Sequence, residues 1–197
     1  AASDFTTPLT LFALDLNVME LTVMRRQPQQ FVSDGIDVRQ FWAVSSDGER
    51  IPYFHVGKNA APDTPTLVYA YGGFGVPELP HYLGSIGKYW LEEGNAFVLA
   101  NIRGGGEFGP RWHQAAQGIS KHKSVDDLLA VVRDLSERGM SSPKHIGLQG
   151  GSNGGLITAA AFVREPQSIG ALVCEVPLTD MIRYPLLSAG ASWTDEY

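Results

Sequence analysis

A single cysteine, Cys174, is the only thiol in the 197 residues, so no disulfide can form within the chain. No apolar run approaches the length of a membrane-crossing helix, and none follows a charged leader in the manner of a secretion signal. Basic residues number 15 against 21 acidic ones and nowhere form a block. The formal charge of −6 therefore supplies none of the attraction that drives binding to nucleic acid or to an anionic membrane surface. These deficits describe a globular cytosolic protein, with neither nucleic acid nor membrane as partner. The chain also has Ala rather than Met at its first position, which reads as a piece cut from something longer. What is plentiful is hydrophobic content, 44%, enough for the core of one ordinary domain with a small appendage.

The period of the apolar residues predicts the order of elements. Leu9, Leu11 and Ala13 alternate with other residues, and Met19, Leu21 and Val23 repeat the pattern after Asp15 and Asn17, as in two short antiparallel strands. The polar, turn-rich QPQQFVSDGID places a boundary near Ser33 to Gly35, so 1–34 and 35–197 are expected as separate units. VRQFWAVSSDGERIPYFHV reads as a hairpin turning at Asp47-Gly48, with Pro52 keeping its second arm off a central ladder position. From Thr66 the period changes. TLVYAY and NAFVLANI are continuous apolar runs, the mark of strands buried on both faces, and YLGSIGKYWLEEG between them predicts a helix closing at Gly94. SVDDLLAVVRDLSERGM sets Val125, Leu128, Leu129, Val132 and Leu135 on one helical face, with Ser124 as N-cap, acids in the first turn and Gly139 past the end. HIGLQ, GLITAAAFVRE and GALVCEVPL continue as strand, helix and strand. The alternation predicts an α/β fold, a doubly wound, mostly parallel sheet covered on both sides.

Between two of those elements lies GGSNG, with Ser152 amid Gly150, Gly151 and Gly154. This matches G-x-S-x-G, and its place between a strand and a helix is the context that motif requires for a nucleophilic serine. Side chains two residues either side would meet the backbone of strand and helix, so glycine is needed there. The helix that follows would aim the Asn153 N–H at an oxyanion. YAYGGFG follows the first buried strand, where such hydrolases carry the second oxyanion donor, and Tyr71 has a phenol to offer. GGGEFG, through Gly104, Gly106 and Gly109, also fits G-x-G-x-x-G, but Pro110 and the short RWHQAAQG give no long helix whose N-terminus could hold a pyrophosphate. His55, His81, His113, His122 and His145 have no metal-ligand spacing, and read as packing or surface residues. All five precede Ser152. The triad order of α/β-hydrolases is Ser, then Asp or Glu, then His, yet the 45 residues after Ser152 contain Asp180 and Asp195 and no histidine.

YGGFG, NIRGGGEFG, WH, GGSNGG and SWTDEY, in that order between about Phe41 and Tyr197, together resemble the catalytic domain of the prolyl oligopeptidase family of serine peptidases. The resemblance implies an α/β-hydrolase sheet truncated at its C-terminus, preceded in residues 1–34 by the closing strands of a β-propeller that admits only short peptides. It implies Ser152 as nucleophile, the Asn153 backbone N–H and Tyr71 as oxyanion donors, and Trp193 as the indole that stacks on a substrate proline. Phe74, Leu178 and Tyr197 match positions near that pocket, Leu178 standing where the pattern has valine. The family's aspartate and histidine, and the arginine that holds the peptide carbonyl, are expected beyond Tyr197, so the remainder of the catalytic domain would be this chain's partner. The implied reaction is acyl-enzyme hydrolysis of short peptides on the carboxyl side of proline, with no metal or organic cofactor, and with little activity from this chain alone. The elbow and the loop suit an esterase or lipase on the same fold equally well, and the want of a base leaves a non-catalytic binding or structural module open.

Overall fold

The alternating residues of the N-terminal segment form a hairpin, β1 (Thr10–Asp15) against β2 (Glu20–Arg26), in the computed structural model, which describes residues 1–197 in full. Leu11, Leu16, Met19, Leu21 and Met24 of this hairpin are exposed. The flanking stretches are anchored: Phe5 and Phe31 are buried, and the Gln30 and Val32 N–H groups donate to Tyr82 Oη (2.7 Å) and Glu92 Oε1 (2.8 Å).

The other six strands form one sheet: β3 (Asp37–Val44), β4 (Arg50–Gly57), β5 (Thr66–Ala70), β6 (Ala96–Ala100), β7 (Ile146–Gly151) and β8 (Ala171–Glu175). Their spatial order is β3-β4-β6-β5-β7-β8, antiparallel across β3, β4 and β6 and parallel from β6 to β8. The β3–β4 hairpin turns at Asp47-Gly48 as expected, with Gly48 at φ +85°. The expectation for Pro52 is overturned. β4 is an inner strand, and Pro52 lies within it opposite Trp42. It is tolerated because its missing N–H falls at the end of the β4–β6 ladder, where its carbonyl still accepts the Asn101 N–H (3.0 Å).

Helix α1 (Gly84–Ile86) runs into a wider turn over Gly87–Leu91 that closes at Gly94, φ +87°. Then come α2 (Pro110–Gln114), α3 (His122–Glu137) and α4 (Asn153–Arg164). The period-2 alternation of the buried strands sorts their side chains by face. Val68, Ala70, Val98, Ala100, Ile146 and Leu148 pack with Leu128, Leu129, Val132 and Leu135 of α3 and Ile157 and Ala161 of α4. Val56, Phe97 and Leu99 pack on the other face with Leu83, Leu91, Phe5 and Phe31. The sheet is covered on both sides.

Ser124 is not the N-cap of α3. The helix begins two residues earlier, at His122, because the Ser124 hydroxyl points inward and donates to Arg103 O (2.8 Å). Nor do acids occupy the first turn; Asp127 lies further along, wholly buried against Arg103.

The chain leaves β5 for β6 on one side and returns to β7 on the other, so the winding reverses at the β5–β7 pair. The loops after these two strands must diverge, which opens a crevice at the carboxyl ends of the strands. YGGFG and GGSNG are those two loops. No helix is long and apolar enough to cross a membrane.

Candidate active site

Ser152 sits between β7 and α4 at φ +53°, ψ −115°, a left-handed conformation that costs a non-glycine residue of order 1–3 kcal/mol. Its N–H donates to Glu175 O (2.9 Å) on β8, which helps to hold the turn. The flanking glycines explain themselves sterically. A Cβ on Gly150 would run into Gly154 O, and one on Gly154 into Ala70 O at the end of β5. The strand, the helix and the neighbouring strand thus close on each other around the serine. Asn153, the first residue of α4, has a main-chain N–H with no acceptor inside the helix.

The Asn153 side chain is fully buried and ties the two loops together. Its Nδ2 donates to Tyr71 O (2.5 Å) and its Oδ1 accepts from Tyr197 Oη (3.0 Å). Gly73 leaves the space it fills, since a Cβ there would strike the Asn153 amide. The loop from Tyr71 to Gly75 is itself strained, with Phe74 at φ +56°. It rests on the next glycine-rich loop: Gly75 N–H donates to Gly104 O (3.1 Å), and Gly104 and Gly106 approach Gly72 O and Gly75 O too closely to carry a Cβ. GGGEFG therefore spends its glycines on loop packing, and the helix after it, α2, has five residues. The Tyr71 hydroxyl makes no hydrogen bond within the chain. Burial, then the charges of Glu196 and Glu78, raise its pKa, so it remains a protonated donor.

The residues expected around a substrate do not converge on one pocket. Leu178 and Trp193 line a cavity of about 250 Å³ with Pro177, Tyr184 and Leu187. Phe74 instead meets Tyr197 edge-on, ring centres 5.9 Å apart, and Tyr197 meets Tyr184 at 5.4 Å. Tyr197 and Tyr184 also border a second, apolar cavity of about 450 Å³ beside Val125, Leu156 and Met181. Tyr184 is the link between the two. A larger cavity, about 580 Å³, lies at the far end of the sheet among Arg39, Phe41, His55 and Arg138, and holds none of the expected site residues.

A strained serine at the reversal of an α/β sheet is thus faced by a glycine-rich loop that begins with a free phenol, Tyr71. A model of the prolyl oligopeptidase family matches residues 83–197. This chain belongs to that family. It is similar to an uncharacterized peptidase of Sinorhizobium fredii, 43% identical over 98% of this chain and 27% of the relative. The solved structure of a post-proline cleaving enzyme from Rickettsia typhi superimposes with a TM-score of 0.92 at 41% identity, over 98% of this chain and 28% of that one. Prolyl oligopeptidase B from Galerina marginata, bound to a 25mer macrocyclization substrate, gives a TM-score of 0.92 at 30% identity, over 99% of this chain and 28% of that one. The chain spans little more than a quarter of the length of each of these proteins.

No histidine of this family member meets Ser152, whose hydroxyl has no hydrogen-bond partner. His113 Nε2 pairs with Glu196 Oε2 (2.7 Å) and His145 Nδ1 with Ser142 Oγ (2.9 Å). His81 and His122 bond to nearby carbonyls, and His55 is buried in β4. Two charged groups escaped the reading of the sequence. Arg103, 3% exposed, bonds Asp127 through Nε (2.8 Å) and Nη2 (2.6 Å) and Asp47 through Nη1 (2.6 Å), fixing the root of the GGGEFG loop to α3 and the β3–β4 turn. Glu196, also 3% exposed, binds His113 and Lys121 beneath the Tyr71 loop. Their signal was present in outline: each charge stands in a quoted motif, NIRGGGEFG or SWTDEY.

Proposed function

We propose that this chain carries the nucleophile and the oxyanion-binding groups of a serine-type peptidase that cleaves short peptides on the carboxyl side of proline. The observation that carries the proposal is Ser152 itself, held in a strained turn at the β5–β7 reversal with the Tyr71 loop tied across to it by Asn153. Ser152 Oγ attacks the peptide carbonyl. A histidine from polypeptide outside these residues, oriented by an aspartate, takes the hydroxyl proton and returns it to the leaving amine; the acyl-enzyme is then hydrolysed by water along the reverse route. The oxyanion receives the Asn153 N–H and the Tyr71 O–H, and one such donor is worth about 3 kcal/mol to the transition state.

The Leu178–Trp193 cavity, about 250 Å³, suits a ring the size of proline, with the indole as its apolar face. Phe74 and Tyr197 are proposed as further substrate contacts beside that cavity: Tyr197 packs on Tyr184 of its lining, meets the Phe74 ring, and is held by its bond to Asn153. Residues 1–34 are proposed as the closing strands of a β-propeller and its linker, in keeping with a hairpin that leaves its apolar side chains uncovered. Residues 35–197 then form the N-terminal part of the catalytic domain.

The test uses the full-length protein that carries this chain. A fluorophosphonate probe and a pair of chromogenic substrates, a proline amide and the matching ester, are compared in the wild type and in Ser152→Ala. Labelling and amide cleavage that both vanish with the hydroxyl support the proposal. Ester turnover without amide turnover makes the protein an esterase, and labelling that survives Ser152→Ala removes Ser152 as nucleophile.

A further inference from the structure

The Glu196 carboxylate is a buried acid whose two partners, Lys121 and His113, both touch the Tyr71–Gly75 loop. Its side chain is 4% exposed, and an unpaired charge at that depth costs several kcal/mol, so its partners define what it is for. Oε1 accepts from Lys121 Nζ at 2.6 Å and Oε2 contacts His113 Nε2 at 2.7 Å. Lys121 spends a second donor on Gly72 O, at 3.1 Å, and the His113 ring lies against Gly75. One carboxylate thus reaches both ends of the Gly72–Gly75 segment, each through one side chain. Its own backbone is fastened as well: Glu196 O accepts the Gly118 N–H (2.9 Å), and the next residue, Tyr197, bonds Asn153.

We propose that Glu196 is a positioning residue for the oxyanion tyrosine, setting the Tyr71 loop against Ser152 through Lys121 and His113. The inference rests on the reading of Tyr71 as an oxyanion donor. Electrostatics supports the same role. Burial alone would raise the Glu196 pKa, but the hydrogen bonds from Lys121 and His113, with the Phe74 N–H, hold it below the usual carboxylate range, so it stays ionised. Its charge adds to burial in keeping the Tyr71 phenol protonated, hence a donor. A bare anion here would also oppose the negative charge that develops on the substrate oxygen; the Lys121 ammonium, 2.6 Å away, offsets it. A plain structural ion pair needs neither the second Lys121 bond to Gly72 O nor the contact of His113 with Gly75.

The experiment is a double-mutant cycle in the full-length protein, because a residue that acts through Tyr71 must lose its effect when the phenol is gone. Glu196→Gln and Glu196→Asp are each made with Tyr71 intact and in a Tyr71→Phe background, and kcat and KM are measured on a proline amide. With Tyr71 present, Glu196→Gln should lower kcat about tenfold or more and move KM less than about threefold, since the lost contact is felt in the transition state. Glu196→Asp should recover part of that loss. In the Tyr71→Phe background the Gln substitution should cost less than about threefold. Equal losses in the two backgrounds, or an unchanged kcat with a lowered melting temperature, overturn the proposal and leave Glu196 a stabilising residue. Should Glu196→Gln fail to fold, Lys121→Met releases Gly72 O and is read in the same two backgrounds by the same criteria. Ser152→Ala runs alongside. If cleavage survives it, the serine-peptidase reading fails and this inference with it; if cleavage is abolished and the cycle shows no coupling, this inference fails alone.

Discussion

Protonating His55 should cost this protein a measurable part of its stability, and the structure supplies the magnitude. The imidazole lies on β4 across from Arg39 on β3, 4% exposed, with Nε2 lacking any hydrogen-bond partner. Burial, then the Arg39 charge, depress its pKa from 6.5 to about 4. Between those values the unfolded chain takes up a proton that the folded chain refuses, so stability is complete above pH 6.5 and falls as the pH drops through the window. A gap of roughly 2.5 pH units at 1.4 kcal/mol each sets a limit of about 3.5 kcal/mol, most of it lost by pH 4.5. Other groups titrate nearby. Asp47, held at about 2 by its Arg103 hydrogen bond, gives up its share only as the pH falls below its ordinary 3.8 towards 2. Glu78 and Glu107, raised by burial, gain protons more readily when folded and act in the opposite sense. Comparison with His55→Leu cancels both, and that substitution also removes the unpaired Nε2. Urea unfolding at intervals from pH 7.5 to 4.5 should show the wild type losing about 2–3 kcal/mol more than His55→Leu. Parallel pH profiles for the two proteins would refute the reasoning.

Asp127→Asn should destabilise the fold by about 3–5 kcal/mol, because it leaves the Arg103 guanidinium, 4% exposed, short of its fully buried counter-charge. Urea midpoints measure this, and a loss under about 1 kcal/mol would mean that Asp47 alone satisfies the arginine. Trp193→Ala in the full-length protein should lower kcat/KM for a proline substrate about tenfold or more relative to its alanine analogue while the melting temperature holds. A collapse of thermal stability with selectivity unchanged would make the indole a packing residue.

Much of the fold was legible because the signals are local. Continuous apolar runs marked β5 and β6, the spacing of Val125 to Leu135 marked α3, and the turns at Gly48, Gly94 and Gly139 all adopt positive φ. Pro52 and Ser124 misled for a shared reason. Local rules assign proline to an edge and serine to a cap, whereas β6 pairs with β4 from some 45 residues away, and Arg103 O draws the Ser124 hydroxyl inward from 21. Of the site, the elbow and its facing loop could be read directly, since each is dictated by backbone sterics within a few residues.

What joins those pieces belongs to the tertiary structure. Amino-acid order determined that a serine must sit on a strained turn between a buried strand and a helix, because only glycine at 150 and 154 lets the chain pass there. It could not determine that Asn153 would reach Tyr71 O across 82 residues, or that Glu196 would find His113 across 83. Nor could it show that Tyr197 would turn its hydroxyl to Asn153 while Trp193 and Leu178 shared a separate cavity. Those pairings exist only once the sheet reverses at β5 and β7 and gathers distant loops at one edge. Buried polar groups brought there must find partners, and which ones they find is a matter of distance in space.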